Sequence, residues 1–240
     1  MRQSRSQKVQ KNQDNIELED RIVIRFYTDP LCCWCWAFEP HWRTLLTNYG
    51  ERISYSYVMG GMIPKWGSYN DPLHSISTPI QMGPIWMHAG EVTNTKMKHT
   101  IWALDPPASS FPPCIAVKTV ELQSQSAVEQ YYFNIRNVMM EDGINISEEH
   151  RLLELASQLK REDFDFALFV EDWRKGSGKE SFRQDLKTTK FHGIGRFPTL
   201  TFQDAHGHGI VLTGYRPYKI LEEAFLSMTK RKESGSLQKR

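Results

Sequence analysis

The spacing of apolar positions changes period several times along the chain, and each change marks an element. Arg21-Ile22-Val23-Ile24-Arg25-Phe26-Tyr27 is a short β-branched and aromatic run that reads as a buried strand, and Asp29-Pro30 breaks it. From about 33 to 48 the period becomes helical. Trp42, Leu45, Leu46 and Tyr49 fall on one face, and Gly50 is placed to stop the helix. Residues 53–59 alternate like a second strand, closed by Gly60-Gly61. A long helical stretch follows, with segments expected at 79–92, 112–122, 127–141, 148–159, 164–174 and 179–188. Ser147 before Glu148 and Glu149 makes a favourable helix start, while Asp105-Pro106-Pro107 and Gly176-Ser177-Gly178 mark loops. Strand signals return at 198–203 and 210–213, joined by the Gly-containing turn 204–209. A helix over about 217–230 closes the pattern.

The order is therefore β-α-β, a helical block, then β-β-α. The right-handed crossover rule makes the first two strands parallel, and a hairpin makes the last two antiparallel. The expected fold class is α/β: a mixed sheet with flanking helices, interrupted by a large helical insertion. The boundaries implied are 21–62 together with 190–230 for the sheet domain and 63–189 for the insertion. Residues 1–20 read as a polar, disordered N-terminal tail, and 231–240 as a frayed basic one.

Composition narrows the function. At 240 residues, 40% hydrophobic and 24% charged, the chain can fill a sizeable core. A formal charge of +2 without a basic stripe argues against a nucleic-acid surface. No run approaches the roughly 18 apolar residues that span a membrane. The first twenty residues lack the apolar region of a secretory leader, so the reducing cytoplasm is the expected compartment. Seven Trp and twelve Phe are generous, and Trp66, Trp86, Met82 and Met87 are candidates either for a groove or for the core.

Of four cysteines, three crowd into Cys32-Cys33-Trp34-Cys35. Structural bridges close longer loops, so redox chemistry or metal binding is indicated. A C-x-x-C where a strand meets a helix reads as a thioredoxin-like redox motif. The helix N-terminus offers unpaired N–H groups that favour a thiolate at Cys32, which predicts a pKa below the free value of about 8.5. Cys35, one turn on, would resolve the mixed disulfide. A zinc half-site is the alternative. It would need further ligands, and only Cys114 and the His206–His208 pair offer themselves. No metal and no cofactor are expected. Cys114 reads as a core thiol and His41 as an exposed helix residue.

The segment from Tyr27 to Pro40, with Asp29-Pro30-Leu31-Cys32-Cys33-Trp34-Cys35-Trp36, resembles the active-site segment of DsbA-family, FrnE-like proteins, which commonly show D-P-x-C-P/S-W-C-W. The resemblance covers most of the chain after residue 20 and implies the thioredoxin fold with an inserted helical domain. It implies that Cys32 is the nucleophile and Cys35 the resolving thiol. It also makes Trp34, Phe197 and Pro198 the substrate-binding residues, with Phe197–Pro198 a cis bond facing Cys32. Cys33 departs from the pattern, as either a competing thiol or a small residue turned away.

The resemblance implies a disulfide reductase or isomerase whose partners are protein or small thiol and disulfide substrates. Two alternatives remain open. One is a non-catalytic cytosolic adaptor or redox-sensing module of the same family. The other is a kappa-class, glutathione-linked enzyme, although that class usually carries Ser where this chain has Cys32. The sequence leaves oligomeric state undetermined.

Overall fold

The computed structural model describes residues 21–71 and 75–237. The expected N-terminal tail lies outside these residues. Strands β1 (Ile22–Thr28), β2 (Ile53–Met59), β3 (Thr199–Gln203) and β4 (Gly209–Thr213) form a four-stranded sheet in the order β2-β1-β3-β4. β1 and β2 run parallel, with Ile22 opposite Ile53 and Thr28 opposite Met59. β3 is antiparallel to both β1 and β4, with Tyr27 opposite Thr199 and Leu200 opposite Leu212. The mixed sheet expected from the order of elements is therefore present.

Alternation decides which face of the sheet is covered. Ile22, Ile24 and Phe26 point to one side and are buried. Against them lies α1 (Cys33–Tyr49), where the Phe26 ring meets Phe38 at 5.7 Å and Trp42 at 5.4 Å, both edge to face. Trp42 and Phe38 each bury on the order of 150–250 Å² in such a place, and edge-to-face contact adds to that. The indole N–H of Trp42 is satisfied by the Tyr57 hydroxyl at 3.0 Å. The closing helix packs on the same side and runs Tyr218–Leu237, so residues 231–237, expected to fray, continue it. Lys230-Arg231-Lys232-Glu233 are good helix formers, and no Gly or Pro interrupts before Gly235.

The helical block holds α2 (Met82–Thr93), α3 (Ile101–Leu104), α4 (Phe111–Glu121), α5 (Gln125–Asn137), α6 (Glu149–Ser157), α7 (Phe166–Lys175) and α8 (Ser177–Phe191), the closing helix being α9. The short α3 carries no periodicity of its own and was not expected. The helix expected over 127–141 changes at Val138–Asp142 to one wider, π-helical turn, closed by Gly143 at φ +73°. Helix α8 belongs to the expected insertion, yet it packs on β2 as well as on α4. The sheet thus takes part of its second cover from the insertion. Trp86 and Met82 are core residues, Trp66 is half-buried, and Met87 is exposed. Among the described residues no helix is long and apolar enough to cross a membrane.

Candidate active site

The candidate redox turn is built where β1 ends. The Cys32 N–H donates to the Asp29 carbonyl at 3.0 Å, and the Asp29 side chain accepts the Leu31 N–H at 2.9 Å. This tight turn places Cys32 as the N-cap of α1 with extended backbone, φ −83° and ψ 106°. Its sulfur occupies the position of a capping oxygen and accepts the Cys35 N–H at 3.1 Å. One of the orphan donors at the helix start is thereby satisfied by a thiol.

All four cysteines are free and buried. Cys33 belongs to the apolar core, where burial pushes its thiol far up, in keeping with the small residue turned away. Cys114, at 0% exposure, is the expected core thiol. Cys32 corrects an expectation. Burial pushes its thiol well up, the hydrogen bond and charge of Cys35 add to this, and only the Cys35 N–H opposes it. The helix terminus supplies its donor as read from the sequence, but with Cys32 only 4% exposed, desolvation of the thiolate is the larger effect.

The rings around the pair come from distant parts of the chain. Trp34, half-buried between the cysteines, meets His88 of α2 edge to face at 6.1 Å and Tyr215 at 6.1 Å. Tyr215 in turn bonds His41 Nε2 through its hydroxyl at 2.9 Å, and burial lowers the His41 pKa. His41 is therefore a half-buried partner rather than an exposed residue. Pairing of Tyr27 with Thr199 brings the start of β3 to the sheet end that carries the redox turn, and with it Phe197–Pro198, whose peptide bond is cis. The Phe197 ring lies over Gly60. A Cβ on Gly60 would fall 2.0 Å from the ring tip, so only glycine allows this approach.

Buried charge anchors the surroundings. Glu39, one turn beyond Cys35, accepts Arg136 Nη2 at 2.7 Å and Arg43 Nε at 2.6 Å. The Arg136 guanidinium lies 3.7 Å over the Tyr132 ring, and its Nε donates to the Tyr132 carbonyl at 3.2 Å. Asp185 of α8 accepts the Met59 N–H at 2.8 Å and faces Lys118 at 3.2 Å. Burial nonetheless holds Asp185 up at about 6. A carboxyl raised in this way adds stability below its unfolded pKa, and that stability is lost as pH rises through 6. The stability of the wild type relative to Asp185→Asn should therefore grow by about 2 kcal/mol as pH falls from 7 to 4, read by urea titration at each pH. A constant difference would contradict the buried carboxyl's raised pKa.

Sequence reading missed Tyr215, His88, Glu39 and Arg136. Asp29 stood within the D-P motif but was given no role. Among the described residues no cluster of three or more His, Cys, Asp or Glu is placed to hold a metal.

Residues 26–223 match the family model described as thioredoxin. The chain belongs to the thioredoxin family. It is 27% identical over 211 residues to the ClpXP adapter protein SpxH of Halalkalibacterium halodurans, covering 86% of this chain and 68% of that protein. This chain thus spans about two thirds of that relative's length. Among solved structures, a candidate protein disulfide isomerase from Nitrosomonas europaea superposes with a TM-score of 0.73 at 19% identity, covering 88% of this chain and 98% of that one. The cytosolic disulfide reductase DsbM of Pseudomonas aeruginosa superposes with a TM-score of 0.61 at 18% identity, covering 90% and 99%. The DsbA-like resemblance read from residues 27–40 is matched by these neighbours at the level of the fold.

Proposed function

We propose that this thioredoxin-family chain is a cytoplasmic thiol–disulfide oxidoreductase that reduces or isomerises disulfides through Cys32 and Cys35. The observation that carries the reading is a free Cys32 thiol at the helix N-terminus, holding the N–H of a second free thiol three residues on. In this reading the Cys32 thiolate attacks one sulfur of a substrate disulfide, and the other sulfur leaves as a thiolate. Cys35 then loses its proton and displaces the substrate from Cys32, so two electrons and two protons pass to the substrate. Trp34 and Phe197 would flank the entering chain, and the backbone beside Pro198 would pair with it as an added strand.

A second reading has its own support. All four thiols are buried, and the SpxH relative is described as a ClpXP adapter. In that reading the same surface binds a client and the cysteines do not turn over. Reduction of insulin separates the two. An oxidoreductase should accelerate precipitation of the insulin B chain well above the rate given by dithiothreitol alone. No acceleration, with a client still bound, would favour the adaptor.

A further inference from the structure

Helix α2 and the segment that follows it bring together a second group of side chains, separate from the cysteines. Trp86, Met87, Gly90 and Glu91 of α2 and Met97 and His99 of that segment line one open cavity of about 270 Å³. The chain leaves α2 at Asn94, left-handed at φ 51°, and turns back along the helix. A Cβ on Gly90 would meet the Thr95 carbonyl oxygen at 2.9 Å and Met97 Cγ at 3.9 Å. A Cβ on Gly83 would meet the His99 carbonyl oxygen at 3.6 Å. Gly83 and Gly90 lie about two turns apart on one helix face. Met97 is therefore at one end of that line and His99 at the other, with Met87 between them on the same face. Helical side chains lean toward the helix N-terminus, which inclines Met87 toward the His99 end.

The returning segment is pinned from its other side. The Lys98 N–H donates to the Met140 carbonyl at 2.5 Å, and the Lys98 side chain lies against Gly143. Lys98 thus faces the π-helical turn while its neighbours Met97 and His99 face the cavity.

We infer that Met87, Met97 and His99 form a binding site for a soft monovalent metal ion, copper(I), against the Trp86 ring. Two thioether sulfurs and an imidazole nitrogen are donors that suit copper(I) and not hard cations. Trp86 belongs to the same wall, and an indole is the most favourable aromatic surface for a cation. Glu91 adds a negative charge to the cavity. Neither His99 nor Glu91 has a side-chain partner among the described residues, so both are available to an ion. The methionines are not sealed packing residues: Met87 is 46% exposed and Met97 half-buried. Zinc would find only His99 and Glu91 as ordinary ligands here, fewer than the three or four protein ligands it takes. The site uses none of the cysteines, so it stands whether or not Cys32 and Cys35 turn over.

Silver(I), a redox-inert stand-in for copper(I), titrated into the full chain with carbon-13-labelled methionine methyl groups tests the site. Thiols compete for silver, and the methyl signals separate the two, because an ion held by the cysteines does not touch Met87 or Met97. The Met87 and Met97 signals, assigned through Met87→Leu and Met97→Leu, should move together as silver is added. Copper(I) added without oxygen should produce the same pattern. Met87→Leu, at an exposed position that tolerates leucine, should weaken the response of the Met97 signal at least about tenfold, since loss of even an outer-shell partner costs about 10–100-fold in metal affinity. His99→Gln should weaken it as much. Met87 and Met97 signals that stay in place while silver binds elsewhere would overturn the site. So would shifts that survive His99→Gln unchanged, or equal shifts produced by zinc.

Discussion

Cys35→Ser should accumulate the protein in covalent complexes with its substrates, while Cys32→Ser should abolish both the complexes and insulin reduction. The asymmetry follows from the geometry. Cys32 is the more exposed of the pair, at 4% against 0%, and it alone caps the helix. In the proposed reaction Cys32 makes the first bond to substrate, and the sealed Cys35 breaks that bond. With serine at 35 nothing internal displaces the substrate, and the mixed disulfide persists until an outside thiol arrives. Non-reducing electrophoresis after thiol quenching, with mass mapping of the linked cysteine, reads the result. Complexes formed through Cys114 or Cys33, or equal trapping by both variants, would reject the assigned order.

The largest loss of stability should come from Arg136→Met. Arg136 is 1% exposed and pairs with Glu39, itself buried on the redox helix. Removing one member of a buried pair leaves the other charge without its partner, which costs about 3–5 kcal/mol. Arg43 still reaches Glu39, so the lower end applies, about 3 kcal/mol or roughly 6–12 °C in Tm for a chain of this size. Adding Glu39→Gln should recover more than half of the loss, because the stranded charge is gone. A melting temperature within about 2 °C of wild type for Arg136→Met alone would show the pair to be dispensable. The same substitution tests whether α5 holds α1 in place, since a loosened α1 would also speed alkylation of Cys32.

The strands and the redox turn were legible because they rest on local rules. β-Branched runs, a Gly-Gly stop and the D-P break place β1, β2 and α1 within a residue or two of their observed ends. The C-x-x-C reads directly because its spacing is one helical turn. The raised Cys32 pKa was not legible, because it depends on how completely the thiol is covered, and the rings about Trp34 come from His88 and Tyr215. Glu39 and Arg136 escaped for the same reason. Each looks like an ordinary helix-surface charge, and only tertiary packing makes them a buried pair. Asp29 was read as a strand breaker, which it is, but its bonds to Met62 and Cys114 need the fold.

The pairing of Tyr27 with Thr199 also orders events in time. During synthesis the C-x-x-C and its helix leave the ribosome well before β3 exists. At about 5–20 residues per second the interval is on the order of ten seconds. Through that interval β1 has β2 as a neighbour but lacks its other edge partner, β3. The helical block between the two halves, rich in local contacts, has time to form first. Arrival of the last hairpin then completes the sheet, and α9, synthesised after it, covers that sheet beside α1.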